Sequence, residues 1–350
     1  MKVPTCRGDP AREVDLIEEL IRVHGYDNVP VTLPRTSAAP ADSDDARPLV
    51  RAALVASGLS EAITFGFTSP ARIAALRLDD ADQRSQPISL RNPMSVEQSV
   101  MRTSLLPNLL GAMSRNLKYG VRDIGLFELG TVFLPNPASS DGLPRENLNI
   151  AAVLCGRTRS WVGAAEEVDF FDLKGALERL GAELALEFEL RPTTKVPFLH
   201  PGVSAEIWAG DEQVGVIGEI HPETRTACEI ESRGFAFELC LGSLLVRPRL
   251  QMRAIANHPA VSRDISFFVD AKVPASEVRR IIAAADEPLV KRVAVLEDFR
   301  DPKYVPEGKK GMLWSITYRA LDRTLTDKEV DAAHEPIVKK LLSSLDADRR

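Results

Sequence analysis

The middle of the chain contains more strand patterns than helix patterns, and short turns join several of these strands. Residues 204–220 form two alternating segments around the turn residues Gly210 and Asp211, and further strand patterns cover residues 149–156 and 235–245. A two-residue turn joins neighbouring antiparallel strands, because a parallel pair needs a crossover of about a dozen residues or more. The sequence therefore predicts an α+β fold built on a largely antiparallel sheet.

Glycine-rich phosphate-binding motifs do not occur in the sequence. Neither GxGxxG nor GxxxxGK[ST] is present, and these are the patterns through which Rossmann and P-loop domains hold phosphate groups. Both routes to a bound nucleotide are therefore excluded.

Several segments have the apolar periodicity of helices. Residues 11–24 carry an apolar stripe, and Asp9 followed by Pro10 predicts the N-cap and the first helical residue, with Gly25 closing the helix. Similar patterns predict helices from residue 47 to about residue 58, over 100–118 and over 172–181. Residues 122–135 are typical of a strand pair or of one long strand.

The last hundred residues repeat helix and strand patterns in the order β-α-β-β-α. The segments are 263–270, 275–286, 290–301, 310–320 and 326–345. This order is most of a ferredoxin-like βαββαβ unit, whose closing strand has to come from residues 346–350, a poor strand sequence.

Length and composition place the chain among soluble proteins with more than one domain. The chain has 350 residues, and its Pro-, Ala-, Ser- and Asp-rich segment 31–47 predicts a linker. The sequence has no run of roughly 18 to 20 apolar residues and no apolar signal segment, so we expect a cytoplasmic protein without membrane contact. The four cysteines form no CxxC pair and are expected to be buried or half-buried thiols.

Four acidic residues near the N-terminus could form a cation site. Asp15 is three residues before Glu18 and four before Glu19, so the three carboxylates share one helix face, and Asp9 precedes that helix. A hard divalent cation prefers carboxylate oxygens. The alternative is an N-cap followed by solvated acidic residues near the positive end of the helix.

The C-terminal part is more basic than the rest of the chain. Residues 247–350 hold 20 Lys and Arg against 16 Asp and Glu, whereas residues 1–246 hold 24 against 34. Phe299, Trp314 and Tyr318 lie among the basic residues and could stack on bases. They could equally be core residues, with the Lys and Arg side chains merely solvated. The basic candidates are Arg279, Arg280, Lys291, Arg292, Lys309, Lys310, Arg319 and Arg323.

Long motifs in a fixed order resemble the beta subunit of bacterial phenylalanyl-tRNA synthetase along nearly the whole chain. The opening CRGDPAREVDLIEELIRVHGYDNVP is similar to a family segment, and so is NPMSVEQSVMRTSLLPNLLGAMSRNLKYGVRDIGLFELGTVF. DFFDLKG, FLHPGVSAEIW, VGVIGEIHPE and FAFELCL follow in the family's order. NHPAVSRDISFFVD and EGKKGMLWSITYRALDRTLTDKEVDAAHEPIV resemble its ferredoxin-like anticodon-binding domain.

The resemblance implies a domain order and an assembly. Residues 1–35 would end a helical magnesium-site domain, residues 36–246 would form a catalytically silent class II synthetase-like core, and residues 257–350 would bind the anticodon of tRNA(Phe). The alpha subunit would hold the ATP-dependent active site in an (αβ)₂ heterotetramer, so no catalytic residue is predicted in this chain. The core would expose apolar surface to its partner chains. The family's editing domain has no counterpart in this sequence.

The resemblance also implies site residues. The family's Mg²⁺ ligands match Asp9, Asp15, Glu18 and Glu19, and its tRNA contacts would fall among Arg279, Arg280, Lys291, Arg292, Arg319 and Arg323. Two alternatives are a free-standing RNA-binding module and a structural paralogue without tRNA contact. Association with a synthetase alpha subunit would distinguish a synthetase beta subunit from both of these alternatives.

Overall fold

The computed structural model describes residues 2–32, 46–158, 162–242, 244, 252 and 255–349. The chain divides into two compact units, residues 1–43 and residues 44–350. The predicted linker 31–47 falls mostly outside the described residues. Among these residues, no helix is long and apolar enough to cross a bilayer.

The first unit is built around one helix, α1 (Glu13–His24), followed by a 3-10 turn at Tyr26–Asn28. None of the residues of α1 is buried, although the helix is amphipathic. Gly25 ends it with φ of 97°, a conformation that suits glycine, and its N–H donates to the Ile21 carbonyl. The helix begins later than predicted, because the Asp15 carboxylate, rather than Asp9, accepts the first free N–H groups.

The second unit begins with a seven-stranded sheet in the order β1-β4-β5-β9-β8-β7-β6. Every neighbouring pair is antiparallel except the short parallel pair β1–β4. Two further short strands, β2 (Phe67–Thr68) and β3 (Val100–Met101), pair with each other. The sheet strands are β1 (Ser60–Glu61), β4 (Ile124–Leu134), β5 (Arg145–Cys155), β6 (Phe188–Pro192), β7 (Leu199–Ala209), β8 (Glu212–Ile220) and β9 (Gly234–Cys240).

Helices cover both faces of this sheet, so its strands bury residues on two sides. On β5, Ile150 and Ala152 join the core beneath α2 and α5, while Ala151 and Val153 join the core beneath α4. Such double burial explains why the second half of β5, residues 150–155, is a continuous apolar run. The helices are α2 (Arg47–Ala56), α3 (Pro70–Ala74), α4 (Leu106–Lys118), α5 (Phe170–Leu184) and α6 (Pro222–Ala227).

The C-terminal domain has a four-stranded antiparallel sheet in the order β11-β12-β10-β13, with two helices on one face. Its elements follow one another as βαββαβ. The ferredoxin-like fold is thereby completed by β13, the short strand that the sequence hardly suggested. The elements are β10 (Val261–Asp270), α7 (Ala275–Ala283), β11 (Val290–Phe299), β12 (Lys309–Tyr318), α8 (Asp327–Leu345) and β13 (Asp348–Arg349).

The structure corrects several predicted boundaries. The helix predicted over 100–118 begins only at Leu106, because Val100 and Met101 pair with β2. The helix predicted over 172–181 is longer at both ends, since Asp169 caps it and Ala185 closes it in the left-handed conformation. Of the two alternatives predicted for residues 122–135, the long strand is the correct one.

Candidate nucleic-acid interface

The sheet of the C-terminal domain has one covered face and one open face. Residues of β10 and β12 alternate, and those that face α7 and α8 are buried. On the opposite face, the outward residues of β10 and β11 are exposed or half-buried. The open face consists of Ser262, Asp264, Ser266 and Phe268 of β10, Arg292, Ala294, Glu297 and Phe299 of β11, and Gly311, Leu313, Ser315 and Thr317 of β12.

Two aromatic side chains lie on either side of Gly311 on the open face. A Cβ atom added to Gly311 would meet the Phe268 ring at 3.4 Å and the Phe299 Cβ at 3.7 Å. The Tyr304 ring lies 6.3 Å from the Phe299 ring, and the Lys303 ammonium is 5.2 Å from the Tyr304 ring centre. The missing side chain at Gly311 therefore leaves room beside the Phe268 and Phe299 side chains, on which planar groups could stack.

Of the three aromatic candidates, Trp314 and Tyr318 lie on the covered face and are fully buried. They cannot stack on a base, so for these two the core reading is correct. The Tyr318 hydroxyl and the His334 Nδ1 are 2.9 Å apart in the core between sheet and α8. Burial raises the pKa of Tyr318 to about 12 and lowers the pKa of His334.

Three of the six residues predicted to contact tRNA come together at one end of the sheet. Arg292 pairs with Thr317 across β11 and β12, and the Arg319 N–H donates to the Leu289 carbonyl at 2.9 Å, directly before the segment that holds Lys291. Lys291 and Arg292 are exposed, and Arg319 is half-buried. Arg319 is far from Lys291 and Arg292 in the sequence, so the sequence did not predict that the three residues lie together.

The other three basic candidates lie elsewhere in the domain. Arg280 pairs with Glu277 one turn earlier on α7, at 2.5 Å, and Arg323 pairs with Glu329 at 2.7 Å. Each pair raises the pKa of its arginine, since the nearby carboxylate stabilises the charged guanidinium. Arg279 is exposed on α7. The structure thus does not gather all six residues into one patch.

In the first unit, Arg7 joins two of the four acidic candidates. Its Nη2 atom lies 2.5 Å from Asp9 Oδ2 and 2.7 Å from Glu19 Oε1. Its guanidinium lowers the pKa of Asp9 to about 2, and Arg7 and then Arg22 lower the pKa of Glu19. A positive group therefore already lies between these two carboxylates, in the kind of position that a cation would take.

The remaining two acidic candidates differ in their surroundings. Asp15 Oδ2 accepts the N–H groups of Ala11 at 2.9 Å and Arg12 at 2.7 Å, which lowers its pKa. Glu18 is exposed on the same helix. Within the described residues, no group of three or more acidic, histidine or cysteine side chains converges closely enough to hold a metal ion. The four residues fit a cation only if Arg7 releases Asp9 and Glu19.

Sequence reasoning missed a buried ion pair in the core. Arg102 is 5% exposed and Glu128 is 2% exposed, with 2.5 Å between Arg102 Nη1 and Glu128 Oε1. The Glu128 carboxylate also accepts the N–H of Thr64 at 3.2 Å and its hydroxyl at 2.8 Å. The one available signal was a lone glutamate inside the apolar segment that became β4.

The residues beside Thr64 form an outward apolar stripe. In the extended segment 62–68, alternate residues point inward, and the residues between them point outward. Ile63 is 90% exposed, Phe65 is 66% exposed, and Phe67 is exposed as well. Single exposed apolar residues are common on protein surfaces, whereas a stripe of three along one extended segment is typical of a contact surface.

Comparisons with known proteins agree with this arrangement. A family model described as "Phenylalanyl tRNA synthetase beta chain CLM domain" matches residues 29–241, and one described as "Ferredoxin-fold anticodon binding domain" matches residues 256–350. The predicted fold class, an antiparallel α+β core followed by a ferredoxin-like domain, is therefore confirmed.

Two curated proteins with similar sequences are both phenylalanine–tRNA ligase beta subunits. The phenylalanine–tRNA ligase beta subunits of Syntrophotalea carbinolica and Moorella thermoacetica are 36% and 39% identical over 99% of this chain. The chain spans 44% of the length of each. A solved pyrrolysyl-tRNA synthetase of Desulfitobacterium hafniense aligns with 59% of this chain and 70% of its own, at 15% identity and a TM-score of 0.44.

Proposed function

The chain belongs to the phenylalanyl-tRNA synthetase beta-chain family, and from this membership we propose that it forms the C-terminal part of a phenylalanine–tRNA ligase beta subunit. Its role is to support ATP-dependent charging of tRNA(Phe) by an alpha subunit, through tRNA recognition and subunit assembly. The observation that carries the proposal is the match of both family models, in order, over residues 29–241 and 256–350. We retain residues 1–35, 36–246 and 257–350 as the proposed functional domains.

We assign no catalytic residue to this chain. The three buried carboxylates of the core sheet are engaged by the protein itself: Glu128 by Arg102, Glu219 by Arg233 at 2.7 Å, and Glu238 by the Ser104 hydroxyl at 2.5 Å and the Leu105 N–H at 3.0 Å. A carboxylate that is held on several sides has little capacity left to act on a substrate. The active site is accordingly expected on the alpha subunit.

The C-terminal domain is proposed to bind the anticodon stem-loop of tRNA(Phe) on its open face. Lys291, Arg292 and Arg319 supply positive charge at one end of that face, where phosphates can be neutralised. The aromatic surface at Phe268 and Phe299 lies at the other end of β10 and β11 and suits unpaired bases. Arg279, Arg280 and Arg323 remain candidate phosphate contacts, with two of them in competition with carboxylates.

The apolar stripe at Ile63, Phe65 and Phe67 is proposed as part of the contact with the alpha subunit in an (αβ)₂ heterotetramer. Arg102 and Glu128 hold Thr64 between them, so the stripe is presented on a rigid segment. A preformed apolar surface favours association because little chain entropy is lost on binding. The proposed location of this assembly is the cytoplasm.

Mg²⁺ is the proposed cofactor, held by Asp9, Asp15, Glu18 and Glu19 near the subunit boundary. Magnesium binds few carboxylates directly and keeps several waters, so the four side chains need not touch the ion together. Its chemistry would be the neutralisation of clustered negative charge, in place of Arg7. Asp15 Oδ2 accepts the N–H groups of Ala11 and Arg12, and its Oδ1, which lies 3.2 Å from the Arg12 guanidinium, would turn to the ion once Arg12 moves away.

Co-expression tests the proposal. The full chain is expressed with a tagged phenylalanine–tRNA ligase alpha subunit, purified through the tag, and assayed for phenylalanylation of tRNA(Phe). We expect the two chains to purify together in equal amounts, and Ile63→Ser combined with Phe65→Ser to reduce their association. RNA binding without any association with the alpha subunit would instead support a free-standing RNA-binding module.

A further inference from the structure

Lys310 is an unusual residue for the interior of a small domain. It is only 2% exposed and lies on the covered face of β12, next to the fully buried Met312 in the alternating pattern. Lysine is almost never buried unless its ammonium group is paired. The Lys310 Nζ atom donates to Asp298 Oδ2 at 2.9 Å. Arg300, at 2.7 Å, and then Lys310 lower the pKa of Asp298, so the carboxylate stays charged.

Asp298 belongs to a strand whose register is weakly determined. β11 is the edge strand of the sheet, and its pairing with β12 is shifted by irregularities between Val290 and Arg292 and again between Val295 and Glu297. Beyond the second shift, three pairs remain, at Glu297, Asp298 and Phe299. A short run at the end of an edge strand can slip easily, because few hydrogen bonds oppose the movement.

A slip by one residue would exchange the two faces of this end of β11. Side chains alternate along a strand, so Phe299 would turn to the covered face and Asp298 would turn to the open face. In the observed register Asp298 pairs with Met312 and reaches Lys310, and Phe299 pairs with Gly311 on the open face. One and the same register therefore satisfies the buried ammonium and places the half-buried Phe299 ring on the open face.

We propose that the Lys310–Asp298 pair is a register lock that holds Phe299 on the open face for contact with RNA. The lock follows from the geometry alone, and its consequence for RNA rests on the function proposed above. Lys310 is a positioning residue, since its ammonium lies on the face opposite to the one that the RNA would occupy. A slipped strand would leave this ammonium buried without its carboxylate, which is strongly unfavourable.

Hydrogen exchange and RNA binding of the full chain test the lock together. Lys310→Met keeps the apolar stem and removes the ammonium group. Asp298→Asn breaks the same ion pair at its more exposed partner, and it serves as the test if Lys310→Met does not fold. Both variants are expected to exchange the amides of residues 290–299 at least about fivefold faster, because weakened register lets the edge open locally. A labelled anticodon stem-loop should bind roughly fivefold more weakly, with an unchanged salt slope, because fewer molecules present Phe299 correctly.

Lys309→Met provides the matched control. Lys309 precedes Lys310, lies on the other face of β12 and pairs with Asp348 of β13, so its loss removes an equal charge without touching β11. Exchange in residues 290–299 should stay at the wild-type rate in this variant. Unchanged exchange in both Lys310→Met and Asp298→Asn would overturn the lock, as would wild-type RNA affinity in variants that exchange faster. If the wild-type chain binds no stem-loop at all, the proposed function fails, and the exchange rates alone decide on the lock.

Discussion

Removal of Arg102 should destabilise the core far more than removal of a surface arginine. Arg102→Met leaves the buried Glu128 carboxylate with only two donors, the N–H and the hydroxyl of Thr64. The substitution also removes the Arg102 hydrogen bonds to the Thr131 carbonyl, at 2.8 Å, and to the Thr64 hydroxyl, at 3.1 Å. Breaking a buried ion pair by removing one partner costs about 3–5 kcal/mol. Because four acceptors lose a donor here, the Glu128 carboxylate, the Thr64 hydroxyl and the carbonyls of Thr131 and Phe65, we expect a loss near the upper end of that range.

The measurement is urea unfolding of the full chain followed by far-UV circular dichroism, with the free energy taken from the core transition. Arg51→Met is the matched control, since Arg51 forms a 2.8 Å pair with Glu61 while 44% of its side chain is exposed. Its expected cost is below about 1 kcal/mol. The double variant Arg102→Met with Glu128→Gln should regain part of the loss, because no uncompensated charge stays buried.

Equal destabilisation by Arg102→Met and Arg51→Met would refute this reasoning. That result would mean that Glu128 is solvated or repartnered once Arg102 is gone. A double variant no more stable than Arg102→Met alone would also contradict it, because the unpaired carboxylate is argued to be the main cost.

Three further outcomes are expected. Lys291→Ala with Arg292→Ala should lower the salt slope of stem-loop binding by about 1.5, since each lost phosphate contact removes about 0.7–0.9 released counterions. Arg279→Ala with Arg280→Ala should lower the slope less, because Glu277 already holds Arg280. Equal slopes for the two double variants in filter binding would contradict this difference. Asp15→Asn should weaken association with the alpha subunit only when Mg²⁺ is present, as measured by analytical ultracentrifugation with and without chelator, and indifference to both changes would reduce the cluster to a solvated helix face. Burial lowers the pKa of His334 from 6.5, so the neutral ring stabilises the C-terminal domain above pH 6.5, and this contribution is lost as the pH falls below 6.5. The free energy of unfolding should therefore change less between pH 7.5 and pH 5.5 in His334→Gln than in the wild-type chain.

Local patterns were sufficient for much of the architecture. Alternation predicted β7 and β8 around Gly210 and Asp211, and the order of patterns after residue 260 predicted a ferredoxin-like domain. These predictions hold because side-chain alternation and turn chemistry depend on residues that are neighbours in the chain. The predicted start of α1 was wrong, because the Asp9 carboxylate pairs with Arg7 and the helix instead begins after Arg12, whose N–H the Asp15 carboxylate accepts.

The convergence of distant side chains came only from tertiary structure. Arg102 follows β3 of the small sheet and meets Glu128 on β4 of the large sheet, whereas Arg319 comes near Arg292 because β11 and β12 pair in one register. No periodicity within any of these segments encodes such a meeting. Exposure also depends on tertiary structure. The side chains of β12 alternate regularly between two faces, but Trp314 is buried and Gly311 lies on the open face only because α7 and α8 pack on the Trp314 side. The sequence by itself thus determined the elements, their order and the family, whereas packing between remote elements decided which of the predicted residues share a surface.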